Sequence, residues 1–575
     1  MRILTCDEIG LAEREASTRP GVTTLVLIRR AGLAVVQFCL SHFKFRSVCV
    51  VCGKGENGGR GMAAAEALQD VAEELSVIIL AKEESELSSD VAAACARLSN
   101  DPIWLGEEAG FELDIVREAF KADLIIDAAA DACVKTPLQG VTARAVEAIN
   151  DAFGTVVSVD LPSGIEADID MPLYQSGANA VFSHGIISFI APKPAHIFGQ
   201  LTTGPIAVSE IGVQPVLAPN RTGLNVITSQ EVGIAFPPRP TDANKGQLGH
   251  VLVIAGSRGK AGAAALSGIA AVRAGAGLVT VACPRSIQST VAAFSAVLMT
   301  EGLPETEEGT IAAEASEKVD ALLTGKDVVV LGPGLSRNEE TATFVRRLVA
   351  CCPMPLVLDA DGLNAFEGHI GELPKHGKIR PFRALTPHPG EAARLLGISI
   401  DDIQSDRVKS AKRISRETGS CVVLKGSRTI VAGVSGETWV NMSGNPALAK
   451  GGSGDVLSGI IAAALARHSP GMSAKKKTDV TESASLHTIA EKISASDPVT
   501  THYKQELKQN SEQISVYLKD VRVAAAVHLH GLAADIARDH LHENTVLATD
   551  LWDQLSPAFR ECEVQRDKEL FYLQI

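Results

Sequence analysis

The stretch Asn441 to Gly459, NMSGNPALAKGGSGDVLSG, concentrates the residue types that phosphoryl chemistry needs. Glycines at 451, 452 and 454 precede Asp455, and the alanine-rich run IIAAALAR after it reads as a helix. Backbone N–H groups then converge at the positive end of that helix, where small residues let a phosphate approach. Asp455, at the helix start, is placed to take a proton from a hydroxyl presented to that phosphate. The same segment also describes a helix whose aspartate merely caps its own amino end, so taken alone it leaves both readings open. A second glycine cluster, GKGENGGRG from Gly53 to Gly61, follows the run SVCVVCG and opens another alanine-rich helical pattern. Such a turn cradles phosphate or a cation with backbone groups. Cys49 and Cys52 form a C-x-x-C inside the apolar run, with no second pair or histidine beside it, and are expected to be core thiols.

The elements that must position these loops are legible as alternation. The order of β-branched run, glycine cluster and alanine-rich helix recurs at HVLVIAG, 250 to 256, followed by SRGKAGAAALSGIAAVRAGAG. Apolar strands alternating with helices predict an α/β protein with parallel sheets covered on both faces. Further buried strands are expected at 327–331, 355–359, 421–425 and 429–432, each followed by glycine, proline or acidic residues. This places polar groups at the carboxyl ends of strands, where open α/β sheets bind ligands. A proline-rich passage between Gly212 and Pro240 reads as a connection, giving two domains, 1–220 and 221–575. From 468 to about 520 the composition turns to Ser, Thr, Lys and Gln, with Lys475-Lys476-Lys477, and predicts a partly helical or disordered surface insertion.

A chain of 575 residues excludes a single small fold, and 46% hydrophobic residues with 4% aromatics and 50 glycines exclude a disordered chain. With 68 acidic against 54 basic side chains, the net charge of −14 repels nucleic acid and anionic membrane. Neither is expected as a partner. Any anionic ligand must be held locally. Eleven cysteines, odd in number and scattered from Cys6 to Cys562, predict a reducing compartment without a disulfide framework. The start, MRILTCDEIGLAEREA, has a capping-type Thr5 but not the order of a secretory signal, and no run approaches about 20 uncharged apolar residues. A cytoplasmic location follows as the expectation.

The segments NKGQLGHVLVIAGSRGKAGAAAL, LGPGLS at 331–336, LDADGLNAF at 358–366, LTPHPGEAARLLG at 385–397 and VLKGSRT at 423–429 occur in order with Asp455. Together they closely resemble the ADP/ATP-dependent NAD(P)H-hydrate dehydratases, from Lys245 onward except for the insertion. The resemblance implies a ribokinase-like fold and a repair reaction on NADHX and NADPHX, the hydrated forms of NADH and NADPH. ADP or ATP, with Mg²⁺, phosphorylates the ring hydroxyl, and loss of phosphate restores the double bond. It makes Asp455 the catalytic base. It assigns the nucleotide to Lys425, Gly426, Ser427, Arg428, Thr429, Asn445, Gly451, Gly452, Ser453 and Gly454, and the hydrate to Gly334, His388, Glu391 and Asp455. Asp359 and Asp361 are candidates to orient Mg²⁺ through water.

The opening segment, the Gly53–Gly61 loop, LIIDA at 124–128, SVDLPSGIEAD at 158–168 and FIAPKPAH at 189–196 resemble the NAD(P)H-hydrate epimerases, a Rossmann-like domain often fused ahead of the dehydratase. That family interconverts the R and S hydrates so that the S-specific dehydratase uses both. The resemblance implies K⁺ at Asn57, Asp127 and Ser163, Asp160 as catalytic acid or base, and substrate contacts from Glu56, Asn57, Gly58, Gly59, Arg60 and Asp160. Three segments depart from it. The family's N-N-G-G-D-G is here Glu56 to Gly61 with Arg60 in the acidic place, its M-E-N-A-G is Ile28 to Gly32, and its G-T-G loop is Ala128 to Val134. Arg60 is expected to invert the local charge, and an active epimerase and a structural domain both remain open. Two other readings stand beside these: a small-molecule kinase of the same fold, which TPHPGE and NPALAKGGSGD disfavour, and a non-catalytic nucleotide-sensing scaffold. Copies of the chain are expected to form a homo-oligomer.

Overall fold

The computed structural model describes residues 1–169, 179–373, 381–467, 511–565 and 570–573. Contacts divide the chain into two compact units, Met1–Leu224 with a strand from the far end, and a second beginning at Asn225.

The first unit is built on eight strands: β1 Ser47–Cys52, β2 Glu74–Ile79, β3 Ile103–Trp104, β4 Leu124–Ala128, β5 Thr155–Val159, β6 Gly185–Phe189, β7 Ile206–Ser209 and β18 Leu570–Leu573. Their order is β18-β7-β6-β5-β4-β1-β2-β3, parallel except where β18 runs antiparallel to β7. β1, β4, β5 and β6 are buried along almost their whole length, as strands covered on both faces must be. Helix α1, Cys6–Ser17, is closed by a capping box between Thr5 and Glu8. Helix α2, Thr24–His42, is the one helix among the described residues long and apolar enough to cross a membrane. It is not an uncharged run, since α2 carries Arg29 and Arg30, and it buries Leu27, Ile28, Ala31, Val35 and Phe38 in the unit's core. Helix α3, Glu56–Leu68, follows β1.

The second unit carries ten strands: β8 Leu224–Val226, β9 His250–Ile254, β10 Leu278–Pro284, β11 Met299–Leu303, β12 Val328–Leu331, β13 Leu356–Leu358, β14 Arg383–Leu385, β15 Cys421–Leu424, β16 Ile430–Ala432 and β17 Thr438–Val440. The order is β11-β10-β9-β12-β13-β14-β15-β16-β17-β8, parallel from β11 to β15 and antiparallel through β16 and β17. Helices α4 Ala261–Arg273, α5 Pro389–Leu396, α6 Ser453–Ala466, α7 Ser511–His540 and α8 Asp550–Gln565 flank it. Small residues let α4 and α6 lie very close: a Cβ on Gly459 would stand 2.2 Å from the Ser267 carbonyl oxygen. Alanine and valine fill this core, which is why 4% aromatic content suffices.

Three outcomes differ from expectation. The second domain was expected to run to 575, yet β18 pairs with β7 in the first unit. The expected insertion falls at 468–510 outside the described residues, whereas 511–520 opens α7 and buries Asp520, which accepts hydrogen bonds from the Val434 and Ser435 amides at 3.1 and 2.9 Å. One disulfide, Cys6–Cys133, is present, with nine other cysteines free. Burial pushes Cys49 up to about 12 and Cys52 well above the usual thiol value, in keeping with core thiols.

Candidate functional site

In the second unit the carboxyl ends of β12 to β15 converge on the amino end of α6. Gly452 is the N-cap, with φ +91°, a conformation glycine adopts without the strain a side chain would add. A Cβ there would also lie 2.6 Å from Leu266 Cδ1. Asp455 follows in the first turn. Burial first, and then the charge of Asp359, push its carboxyl up to about 7. A group titrating there serves as a base near neutral pH.

Asp359, just after β13, is fully buried and accepts from Lys425 Nζ at 2.9 Å and Ser458 Oγ at 2.6 Å. Burial alone would raise its pKa, but the Lys425 ammonium and these hydrogen bonds hold it below the ordinary carboxylate value. Lys425 also stands 3.9 Å from Glu391 Oε2, and against the cost of burial the two carboxylates raise its pKa. Its ammonium therefore points into the site; a Cβ on Gly454 would be 3.2 Å from it. Glu391 closes the capping box of α5, accepting from the His388 amide at 2.8 Å, and burial raises its pKa. His388 is half exposed at the mouth, its pKa lowered by burial and by Lys425. Gly334, after β12, accepts at its carbonyl from Ser257 Oγ at 2.8 Å.

The turn after Lys425 is braced by a residue sequence reasoning missed. Arg407 donates to the carbonyls of Leu424 and Lys425, both at 3.1 Å, and to that of Ser427. Thr429 Oγ1 donates to the Gly426 carbonyl at 2.9 Å, and Arg428 Nη1 to that of Met442 at 3.4 Å. Asn445 was expected at the nucleotide; its amide donates to Asp535 Oδ1 at 2.9 Å, and the Gly444 N–H to Asp535 Oδ2 at 2.8 Å. His530, on α7, donates from Nε2 to the Ser453 carbonyl at 3.0 Å, and burial pushes it down to about 4, so it is neutral. Asp535 and His530 lie in the alanine- and valine-rich run VAAAVHLHGLAADIA, where no local motif marks them. The magnesium expectation at Asp359 and Asp361 fits poorly. Both oxygens of Asp359 are taken, and Asp361 Oδ2 accepts from the Ser336 amide at 2.8 Å while Lys260 stands 3.5 Å away.

In the first unit, Gly53–Gly55 turns from β1 into α3. Asn57 Nδ2 donates to the Val159 carbonyl at 2.8 Å and to that of Ala130 at 3.0 Å. Its Oδ1 is buried without a hydrogen-bond partner. Asp127, at the end of β4, accepts from Ser163 Oγ at 2.6 Å, the Ser163 amide at 2.9 Å and Ser158 Oγ at 2.8 Å, and burial raises its pKa. The three residues expected together are together. Gly58 packs tightly, a Cβ there falling 1.9 Å from the Gly53 carbonyl oxygen, while Gly59 meets Ile28 and Glu56 stays exposed.

Asp160, after β5 at φ +67°, accepts from Lys193 Nζ at 2.5 Å and Ser188 Oγ at 2.8 Å. Arg60 Nη1 stands 3.5 Å from its second oxygen. Burial would raise Asp160, but Lys193 and Arg60 overcome it and hold the carboxyl at about 2. Arg60 does not invert the local charge as expected. Glu13 at 3.0 Å and Glu56 at 3.8 Å neutralise it, and its guanidinium lies 5.0 Å over the Phe189 ring. His196 Nε2 donates to the Asp160 carbonyl at 2.7 Å, and burial lowers its pKa to about 4. Glu13, Lys193 and His196 were not singled out in the sequence as site residues. The loop Ala128–Val134 reaches α3 through Asp131, which accepts from the Asn57 amide at 2.8 Å, and reaches the start of α1 through Cys133 and Cys6.

Residues 251–513 match the family described as NAD(P)H-hydrate dehydratase, and residues 24–195 that described as YjeF-related protein N-terminus. The bifunctional NAD(P)H-hydrate repair enzyme Nnr of Moorella thermoacetica is 36% identical over 473 residues, covering 80% of this chain and 87% of that protein. Its counterpart in Escherichia coli is 33% identical over 462 residues, covering 80% and 84%. A solved ADP/ATP-dependent NAD(P)H-hydrate dehydratase from Bacillus subtilis, co-crystallized with ATP/Mg2+, is 25% identical, covers 59% of this chain and 99% of its own, and superposes with a TM-score of 0.43.

Proposed function

The chain belongs to the bifunctional NAD(P)H-hydrate repair enzymes, and from that membership we propose how its two units divide the work. The second unit is an ADP/ATP-dependent dehydratase acting on the S hydrates, NADHX and NADPHX. Asp455 takes the proton from the ring hydroxyl as its oxygen attacks the terminal phosphorus of ADP or ATP. The nucleotide leaves one phosphate shorter. Amides at Gly452 to Gly454 receive the charge that develops on the transferring oxygens. The hydroxyl, otherwise a poor leaving group, now departs as phosphate, and loss of a ring proton restores the double bond. The observation that carries this reading is Asp455 at about 7, beside a glycine N-cap and the Lys425 ammonium. Lys425, with Asp359 and Glu391, holds positive charge where the phosphoryl group passes. Mg²⁺ supplies charge neutralisation when it arrives on the nucleotide's phosphates, since the carboxylates near Asp455 are otherwise engaged.

The first unit takes the epimerase role. Asn57 Oδ1, orphaned and buried, with Asp127 and Ser163 beside it, offers hard oxygens for K⁺, and a cation there offsets the burial of Asp127. K⁺ held there would supply positive charge beside Asp127. Asp160, kept ionised by Lys193 and Arg60 at about 2, is in the form that accepts a proton but is a weak base, poorly suited to drawing one from the substrate. On this account the first unit epimerises slowly. We place the protein in the cytoplasm.

Reduced-nicotinamide absorbance after adding protein with ADP or ATP to both hydrate epimers tests the whole reading. Recovery from the S form with slow conversion of the R form is expected. No recovery with either nucleotide would sink the dehydratase and favour a kinase.

A further inference from the structure

At the opposite edge of the second unit's sheet, a cavity of about 470 Å³ is lined by Arg239, Lys245, Leu248 and Gly277 among others. Leu248 and Gly277 immediately precede β9 and β10, so the cavity lies at the amino ends of these strands, away from Asp455. Helix α6 joins the two regions. Its first turn carries Asp455, and twelve residues later Arg467 caps its carboxyl end, about 18 Å away at 1.5 Å per residue.

The cavity has cations behind it as well as in its wall. The Arg467 guanidinium lies 5.5 Å over the Phe236 ring, and Phe236 is three residues before Arg239. Arg522 Nη1 donates to the Arg467 carbonyl at 2.9 Å. Burial first, and then the charges of Arg239 and Arg522, hold Arg467 down at about 10. Among the described residues no carboxylate is among the charges acting on it, and burial lowers Arg522. Asp242, the acidic residue of the loop between Arg239 and Lys245, is not part of the lining.

A cation at a helix carboxyl end is ordinary, and accounts for Arg467 and its cap by Arg522. It does not account for Arg239 and Lys245 converging on the same place in a chain that carries 68 acidic side chains. Cations clustered with no counter-charge among the described residues repel one another, and an anion bearing several charges relieves that repulsion. Guanidinium forks match phosphate oxygens two at a time.

We propose that this cavity is a second anion site, separate from the catalytic one, which binds a polyphosphate group through Arg239 and Lys245 with Arg467 and Arg522 supplying field from behind. The inference stands independently of the dehydratase reading. The shared chemistry is the diphosphate unit, whether free or carried by a nucleotide.

Isothermal titration of the full chain with inorganic pyrophosphate, and separately with ADP, tests it. Arg239→Ala with Lys245→Ala should remove one equivalent of pyrophosphate binding, or weaken it at least tenfold. Arg239→Lys with Lys245→Arg should retain it. Both residues are exposed, so an unchanged thermal midpoint is expected for either pair. If the ADP isotherm loses an equivalent in parallel, the natural ligand is a nucleotide; if only pyrophosphate does, it is free polyphosphate. Wild-type stoichiometry and affinity within twofold in the alanine pair would overturn the site, because all pyrophosphate would then be bound elsewhere.

Discussion

At the scale of the residue, Asp455 and Asp160 are opposite cases of one principle. Both are aspartates taken out of water, but only Asp160 has two cations in contact with it. Asp455→Asn should lower dehydration at least a thousandfold while nucleotide binding, followed by titration, stays within a few-fold. Since Asp455 must be ionised to act and titrates near 7, dehydratase turnover should climb as pH rises from about 6 to 8 and then level off. Asp359→Asn should shift that profile to lower pH, because it removes the negative charge that disfavours ionisation of Asp455. A profile that only drops in height would show Asp359 to be structural. Asp160 gives the contrary sign. Its folded value of about 2 lies below the unfolded one, so it contributes roughly 2 kcal/mol of stability above pH 4, lost as pH falls from about 4 through 2. Arg60→Asp should raise epimerisation, read as faster consumption of the R hydrate. No change would place the defect in Ala128 to Val134. Asp455 was legible because its loop is contiguous. Lys425 and Asp359 were visible singly but not as a pair, because 66 residues separate them, and Glu13 was invisible as the partner of Arg60, 47 residues away.

At the scale of the element, the strands were readable because parallel strands buried on both faces must be continuous β-branched runs; β12, β13, β15 and β16 lie where those runs occur. The amino end of α6 was readable from its glycines. Helix α7 was not. It begins inside a polar stretch, and its inward-bonding groups, Asp520, His528, His530 and Asp535, carry no motif until the residues they bond are known. The α6 N-cap carries a direct prediction. Gly452→Ala combines strain at φ +91° with overlap on Leu266, and should cost about 1–3 kcal/mol of stability and raise the KM for nucleotide. An unchanged KM would remove the glycine turn from the nucleotide's path. Arg407→Ala, by loosening the Lys425–Arg428 turn, should also raise that KM while leaving the pH profile in place.

At the scale of the whole molecule, composition pointed to two α/β units, and the break at Leu224–Asn225 falls within the proline-rich passage between Gly212 and Pro240. What no local pattern indicated is that the first sheet borrows β18. A four-residue strand gives no sign of which of two sheets it will join, and LFYL suits either. Its ladder with β7 covers an edge that would otherwise offer unpaired backbone groups. A chain ending before Leu570 should therefore unfold its first unit several degrees lower by calorimetry and tend to associate, with dehydration little changed. Equal midpoints would show the strand to be dispensable.

That borrowed strand also sets an order of events during synthesis. Roughly 360 residues separate Ser209 from Leu570, and at about 5–20 residues per second their translation takes some tens of seconds. Throughout that interval the nascent first unit presents β7 as an open edge on every ribosome, including to neighbouring chains of the same polysome. Folding of the amino-terminal half thus waits on a strand made roughly 360 residues later, and a ribosome stalled before Leu570 leaves that sheet unsealed.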